Sequence, residues 1–211
     1  MKTLIIDTAL GACTAVAADH SHVVAAATES MDRGHQERLG GMVRTAMTTA
    51  NWRYEDLELI AVTTGPGSFT GLRVGLAFAQ GLGLALDRPV SGLSTLAALA
   101  LDVESGEVVW ALIDARRGQV YGQPFQDGAP LEDPAALTFE AAALGITGTQ
   151  ARIVVGSGAA LVSVTGVEAV VRAAPSPGAL ARLAAAQPRN AARPLYLRAP
   201  DAKLPGGRDP E

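Results

Sequence analysis

The chain has 211 residues, 48% of them apolar and only 4% aromatic, with a net charge of −4 at pH 7. That is length for one large or two small domains, and too apolar for a disordered chain. The acidic balance argues against a face that grips nucleic acid unaided, and the single cysteine, Cys13, excludes a disulfide framework or a cysteine-built zinc site.

The opening MKTLIID combines one lysine with a short apolar run, as a signal peptide does. Asp7 breaks that run after four residues. The longest uncharged apolar stretch, thirteen residues from Val74 to Leu86, falls short of the ~20 needed to span a bilayer. A soluble cytoplasmic protein, with no membrane partner, is the expectation. Residues 2–7 read as a strand buried on both faces. Residues 12–18 and 22–28 follow closely, turning at Asp19-His20-Ser21. Strands so closely joined are antiparallel, because a parallel neighbour needs a crossover.

The period then changes. Leu39, Met42, Val43, Ala46 and Ala50 recur at helical spacing within residues 34–50, with His35, Glu37, Arg38 and Arg44 largely on the other faces. Gly40-Gly41 in its middle weakens this helix by roughly 2 kcal/mol against alanine. Residues 57–63 read as a strand, parallel to a neighbour through a right-handed crossover. The turn Gly65-Pro66-Gly67-Ser68 feeds a second helix, 69–86, N-capped by Ser68. A strand at 89–93 and a short helix at 94–102 complete a unit of residues 1–103.

That order of elements is the order of a ribonuclease-H-like half, which actin-like folds repeat. A second unit, 104–190, repeats it in abbreviated form. Residues 108–114 and 119–125 read as a hairpin around Arg116-Arg117-Gly118. Residues 127–150 carry one helix near 139–144, and 152–155 form a strand closed by Gly156-Ser157-Gly158. A last helix covers 178–186. Residues 191–211 read as a tail, loose from 199 onward. The predicted class is α/β, with two subdomains and the second reduced.

Three places carry candidate chemistry. Asp7 and Thr8, with Gly11, end the first strand in a small-residue turn. They suit a metal-bound water and phosphate-facing amides, or equally a strand end whose aspartate satisfies turn amides. Gly65 to Gly75 is an anion-friendly entry into a helix, or a tight turn; it lacks the lysine of a phosphate-binding P-loop. Asp114, with the basic turn after it, suits a phosphate or a partner's carboxylate, or a solvated hairpin tip. Gly156 and Gly158 add a weak second loop. His20, His22 and His35 form no HExxH and no pair at helical spacing, and no GxSxG elbow occurs. Cys13 reads as a buried small residue.

The 69–86 helix is apolar nearly all round, with only Arg73 and Gln80 strongly polar. Such a helix is central to the core or docks a partner. Its glycines, Gly71, Gly75, Gly81 and Gly83, lower helix stability but permit close approach of another helix.

The chain resembles the TsaB (YeaZ) family over almost its whole length. The likeness rests on LIIDTALGACTAVA, HQERLGGMV, the stretch from Thr63 to Ala100 containing GPGSFTGLRVG and GLSTL, ALIDARRGQVYG, VVGSGAA and PLYLR. The resemblance implies an actin-like (ASKHA) fold. It implies a non-catalytic adaptor in the machinery that puts threonylcarbamoyl on adenosine 37 of tRNAs. The implied partners are the catalytic paralogue TsaD and the ATPase TsaE, with tRNA met only through the complex. Docking, or pairing of two copies into a homodimer, would use the helices 34–50 and 69–86. The residues carried over are Arg38, Leu39, Met42, Val43, Ala46, Phe69, Leu72, Arg73, Leu76, Ala79, Gln80 and Gly83. ATP and metal would belong to the catalytic partner, and this chain alone would bind no cofactor and no metal. Asp7, Thr8, Gly11, Asp114, Gly156 and Gly158 would be vestigial phosphate loops, and Arg193 and Arg198 would meet acidic groups or tRNA. The competing readings are a metallopeptidase-like glycoprotease-family enzyme and a small actin-like kinase or ATPase.

Overall fold

The computed structural model describes residues 1–186 and 190–198. Its layering follows from one strand. β1 (Lys2–Asp7) is apolar on both sides, and side chains alternate across a strand. Leu4 and Ile6 therefore enter one core, and Ile5 another.

β2 (Ala12–Asp19) and β3 (His22–Ser30) pair antiparallel beside β1, as the short connections require. α1 (His35–Thr49) crosses over to β4 (Leu59–Gly65), and α2 (Phe69–Leu86) to β5 (Val90–Ser94). Both crossovers deliver parallel strands, giving the sheet order β3-β2-β1-β4-β5. The short α3 (Thr95–Ala100) follows.

The second sheet repeats this path. β6 (Val109–Arg116) and β7 (Gln119–Gln126) form the expected hairpin, and β10 (Ile153–Val155) and β11 (Glu168–Val170) add parallel strands. With β8 (Ala129–Pro130), the order is β11-β10-β6-β7-β8, and β9 (Ala135–Thr138) also pairs with β7. The sequence showed none of β8, β9 and β11, which lack the β-branched run closed by glycines that marks the equally short β10. α4 (Phe139–Gly148) runs four residues past its expected end. Where the first lobe has the eighteen-residue α2, the second has only a 3-10 turn at Ala159–Leu161.

α3 and α5 (Pro177–Ala186) lie between the two sheets. They bury Leu96, Leu99, Leu180 and Leu183 with Ile5, Val16, Ala111 and Ile113. Alanine is the most frequent residue of this middle layer. α1 and α2 cover the outer face of the first sheet, and α4 that of the second. Residues 190–198 run over the first lobe rather than hanging free: Leu195 N–H donates to Thr64 O at 2.8 Å, and Gly92 N–H to Asn190 O at 3.0 Å. The remainder of the expected tail, 199–211, lies outside the described residues.

Candidate docking face and interlobe cleft

α2 starts where Ser68 Oγ accepts from Gly71 N–H at 3.2 Å, the N-cap its sequence predicts. Its length of 18 residues and mean hydropathy of 1.3 would also suit a membrane span. Its packing instead gives one face to the protein core: Leu72, Leu76 and Ala79 are buried over β1 and β4. The opposite face is exposed although it is scarcely more polar. Phe69 is 41% accessible and Leu84 87%.

This geometry corrects much of the expected interface. Leu39, Met42, Val43 and Ala46 of α1, and Leu72, Leu76 and Ala79 of α2, are core residues of this chain. Of these, Leu39 reaches the wall of the groove between the two helices and Met42 borders a shallow pocket on α1, and both are otherwise covered by the chain itself. Gly83 is buried too, and a Cβ there would meet Val90 at 2.4 Å. The apolar stripe that marked each helix is the stripe the sheet covers, as amphipathic packing dictates. His35, expected to point away, is also buried.

Arg38, Phe69, Arg73 and Gln80 remain at the surface. Arg38 holds Glu29 at 2.6 Å. Arg73 lies over the Phe69 ring, 3.6 Å from its centroid, and Gln80 donates to Ala192 O at 3.1 Å. Phe78, on the second apolar stripe of the helix, and Ala77 and Leu84, which the sequence did not single out, complete this face. A groove of about 480 Å³ between the helices is lined by Gln36, Phe69, Arg73, Val74, Ala77 and Phe78. Gly41 and Gly81 border open space, while Gly71 and Gly75 are pressed against Thr8 of the same chain. So only some glycines of the two helices leave room for an incoming helix.

A second concavity, about 700 Å³, lies between the lobes. Gly11, His35, Ser68, Asp114, Arg116 and Ser157 line it, so both lobes contribute. Asp7 sits beneath. Its Oδ1 accepts from Ala9 N–H at 3.0 Å and from the Thr63 hydroxyl at 2.7 Å. Its Oδ2, and His35 Nε2, are buried without a partner. Burial pushes the Asp7 pKa up, against the pull of those two bonds and of His35. The two lobes thus bring the predicted Gly11 and Asp114 together, while Asp7 is fully buried and does not line the cleft. Thr8 is turned away, donating to Gly71 O at 2.7 Å.

The second glycine loop is committed to packing. A Cβ on Gly156 would meet Leu112 O at 2.3 Å, and one on Gly158 would meet Val120 at 2.9 Å. Asp114 accepts from Arg116 N–H at 2.8 Å and faces its guanidinium at 3.4 Å. Among the described residues no group of three or more His, Cys, Asp and Glu is placed to hold a metal ion. Cys13 is buried, and burial, followed by the charges of Asp7 and Glu29, pushes its thiol up to about 11, the opposite of an activated nucleophile. Arg198, expected to face outward, donates to Ala115 O at 3.1 Å and to Gln119 Oε1.

Two lobes of the same strand order around a shared cleft define an actin-like protein. A hexokinase of the ROK group from Thermus thermophilus shares the fold, with a TM-score of 0.52 at 16% identity over 88% of this chain and 98% of that one. The family model for TsaD, tRNA N6-adenosine threonylcarbamoyltransferase, matches residues 21–136. YeaZ from Pseudomonas aeruginosa superposes with a TM-score of 0.77 at 30% identity, over 92% of this chain and 99% of that one. The Escherichia coli tRNA threonylcarbamoyladenosine biosynthesis protein TsaB is 41% identical over 129 residues. That match takes in 60% of this chain and 55% of the E. coli protein's length. The chain belongs to the TsaB (YeaZ) family.

Proposed function

We propose that this chain serves threonylcarbamoyladenosine formation in tRNA as a non-catalytic adaptor, docking a TsaD-like catalytic paralogue through the outer face of α1 and α2. The carrying observation is that face itself: Phe69 and Leu84 stand exposed on a helix with no charged residue after Arg73, beside a groove already formed between the helices. Exposed apolar surface of this kind marks an interaction site. Gly41 and Gly81 leave room for close helix contact. The same face would pair two copies when the paralogue is absent. A TsaE-like ATPase completes the proposed complex. A chain of net charge −4 would meet tRNA through its partners in the cytoplasm.

The residues at the cleft support an adaptor more than an enzyme. The amides of its second-lobe glycines are already hydrogen-bonded to Val170 O and Leu112 O, and no metal-ligating cluster forms among the described residues. A metallopeptidase needs such a cluster, and a kinase needs open phosphate loops. The proposed role asks that the chain prefer one state of its partner, because only differential affinity shifts an equilibrium.

The test is light scattering of the chain mixed with the TsaD-like paralogue of the same organism, with Ala77→Glu/Leu84→Glu as the variant. Both substituted residues are exposed, so the variant keeps the wild-type melting temperature. A 1:1 complex for the wild type and none for the variant is the expected result. Equal binding by both would end the assignment of this face.

A further inference from the structure

We infer that residues 190–198 form a latch that mechanically couples the first turn of α2 to the cleft wall of the second lobe. One end grips α2. Tyr196 packs on Phe69 with ring centroids 5.2 Å apart, and Arg73 Nε donates to its hydroxyl at 3.3 Å. Two residues on, Arg198 grips the β6–β7 hairpin through Ala115 O and Gln119 Oε1. An extended chain covers roughly 7 Å in two residues, so the two grips cannot move far apart without one letting go. Ala115 and its neighbours Asp114 and Arg116 line the interlobe cleft. Whatever loosens Tyr196 on α2 therefore loosens the wall of the cleft.

The first lobe is shaped to receive this segment. Leu195 N–H pairs with Thr64 O at 2.8 Å, and Ser91 and Ala191 form an antiparallel bridge. A Cβ at Gly92 would lie 2.9 Å from Ala191 O, and one at Gly65 would lie 3.0 Å from Leu195 O. Both positions are bare where the segment crosses. Among the described residues, the segment's hydrogen bonds along 190–195 go to the first lobe, and those to the second come from the Arg198 guanidinium at its end. A charged donor shared between two acceptors is among the stronger contacts available there.

The consequence for the proposed docking face rests on the adaptor reading: a partner engaging Phe69 and Arg73 would act on Tyr196 and so on the cleft. The coupling is a property of the isolated chain and is tested there, so docking and latch stand or fall separately. The measurement is hydrogen exchange, resolved by peptide, on the wild type and on Tyr196→Ala, Arg198→Ala and Gln119→Ala. Arg198→Ala is expected to speed exchange of hairpin amides 115–120 about tenfold, the loss of two hydrogen bonds from a charged group. Gln119→Ala removes one of those bonds from the other side and keeps the test open if Arg198→Ala folds poorly. The decisive variant is Tyr196→Ala, whose partners are all on α2. A latch requires that it also speed exchange at 115–120 while β1 and β2 stay protected. The latch is overturned if Tyr196→Ala leaves the hairpin at the wild-type rate, or if β1 and β2 lose protection in parallel.

Discussion

Thr8 and Gly71 hold α2 against the first sheet: the Thr8 hydroxyl donates to Gly71 O at 2.7 Å, and a Cβ on Gly71 would sit 2.1 Å from the Thr8 carbonyl oxygen. The helix approaches the backbone more closely than any other residue would allow. Gly71→Ala must push α2 outward, and overpacking of this kind typically costs about 1–3 kcal/mol. Gly81, on the far side, has nothing within 4 Å of its Cβ position. Gly81→Ala is expected to stabilise by about 0.5–1 kcal/mol through helix propensity alone. Denaturant melts of the two variants should therefore move in opposite directions, and a shared direction would contradict this placement of α2.

Leu76 and Leu84 lie on the same apolar helix with opposite fates. Leu76 is 5% accessible and Leu84 87%. Leu76→Glu buries a carboxylate among Leu4, Ile6 and Val62, which is expected to cost about 4 kcal/mol or more. Leu84→Glu is expected to change stability by less than about 0.5 kcal/mol. Thermal melting of both variants, without any partner, checks the pair.

Those two leucines also mark how far the sequence could be read. Periodicity located α1 and α2 to within a residue or two, and short connections fixed the antiparallel β1-β2-β3. The repeat of that order around β6 and β7 gave the two-lobed, actin-like plan. Periodicity could not say which side of α2 faces the sheet, because both sides are apolar. The sheet takes Leu72, Leu76 and Ala79, while the outer side keeps Phe69, Ala77, Phe78, Gly81, Leu84 and Ala85, an apolar set of much the same strength. The latch was illegible for a different reason. PLYLR contains no periodic pattern, and its partners lie about eighty to one hundred and twenty residues away.

The cleft is expected to bind nucleotide poorly in this chain alone. The amides of Gly156 and Gly158 already donate to Val170 O at 3.0 Å and Leu112 O at 2.9 Å, and Asp114 is engaged by Arg116. Calorimetry with ATP and Mg²⁺ should give a Kd of about 1 mM or weaker, equivalent to little more than 4 kcal/mol of binding. Micromolar binding would revive the kinase-like reading and reassign the cleft.

Asp7 gives a pH signature with a definite sign. Its folded pKa is raised above that of an ordinary aspartate, chiefly by burial. The folded state therefore holds this proton more tightly than the unfolded chain does. Stability from the neutral carboxyl is fully present below the unfolded pKa and is lost as pH rises through the folded one. Asp7→Asn removes the titration but retains an oxygen to accept from Thr63 and Ala9. Any fixed offset from the new amide is independent of pH. The melting temperature of the wild type minus that of the variant should thus fall steadily as pH is raised from 3 toward 7. A difference that instead grows over that range would mean that the fold holds Asp7 as a carboxylate, its hydrogen bonds from Ala9 and Thr63 outweighing the burial.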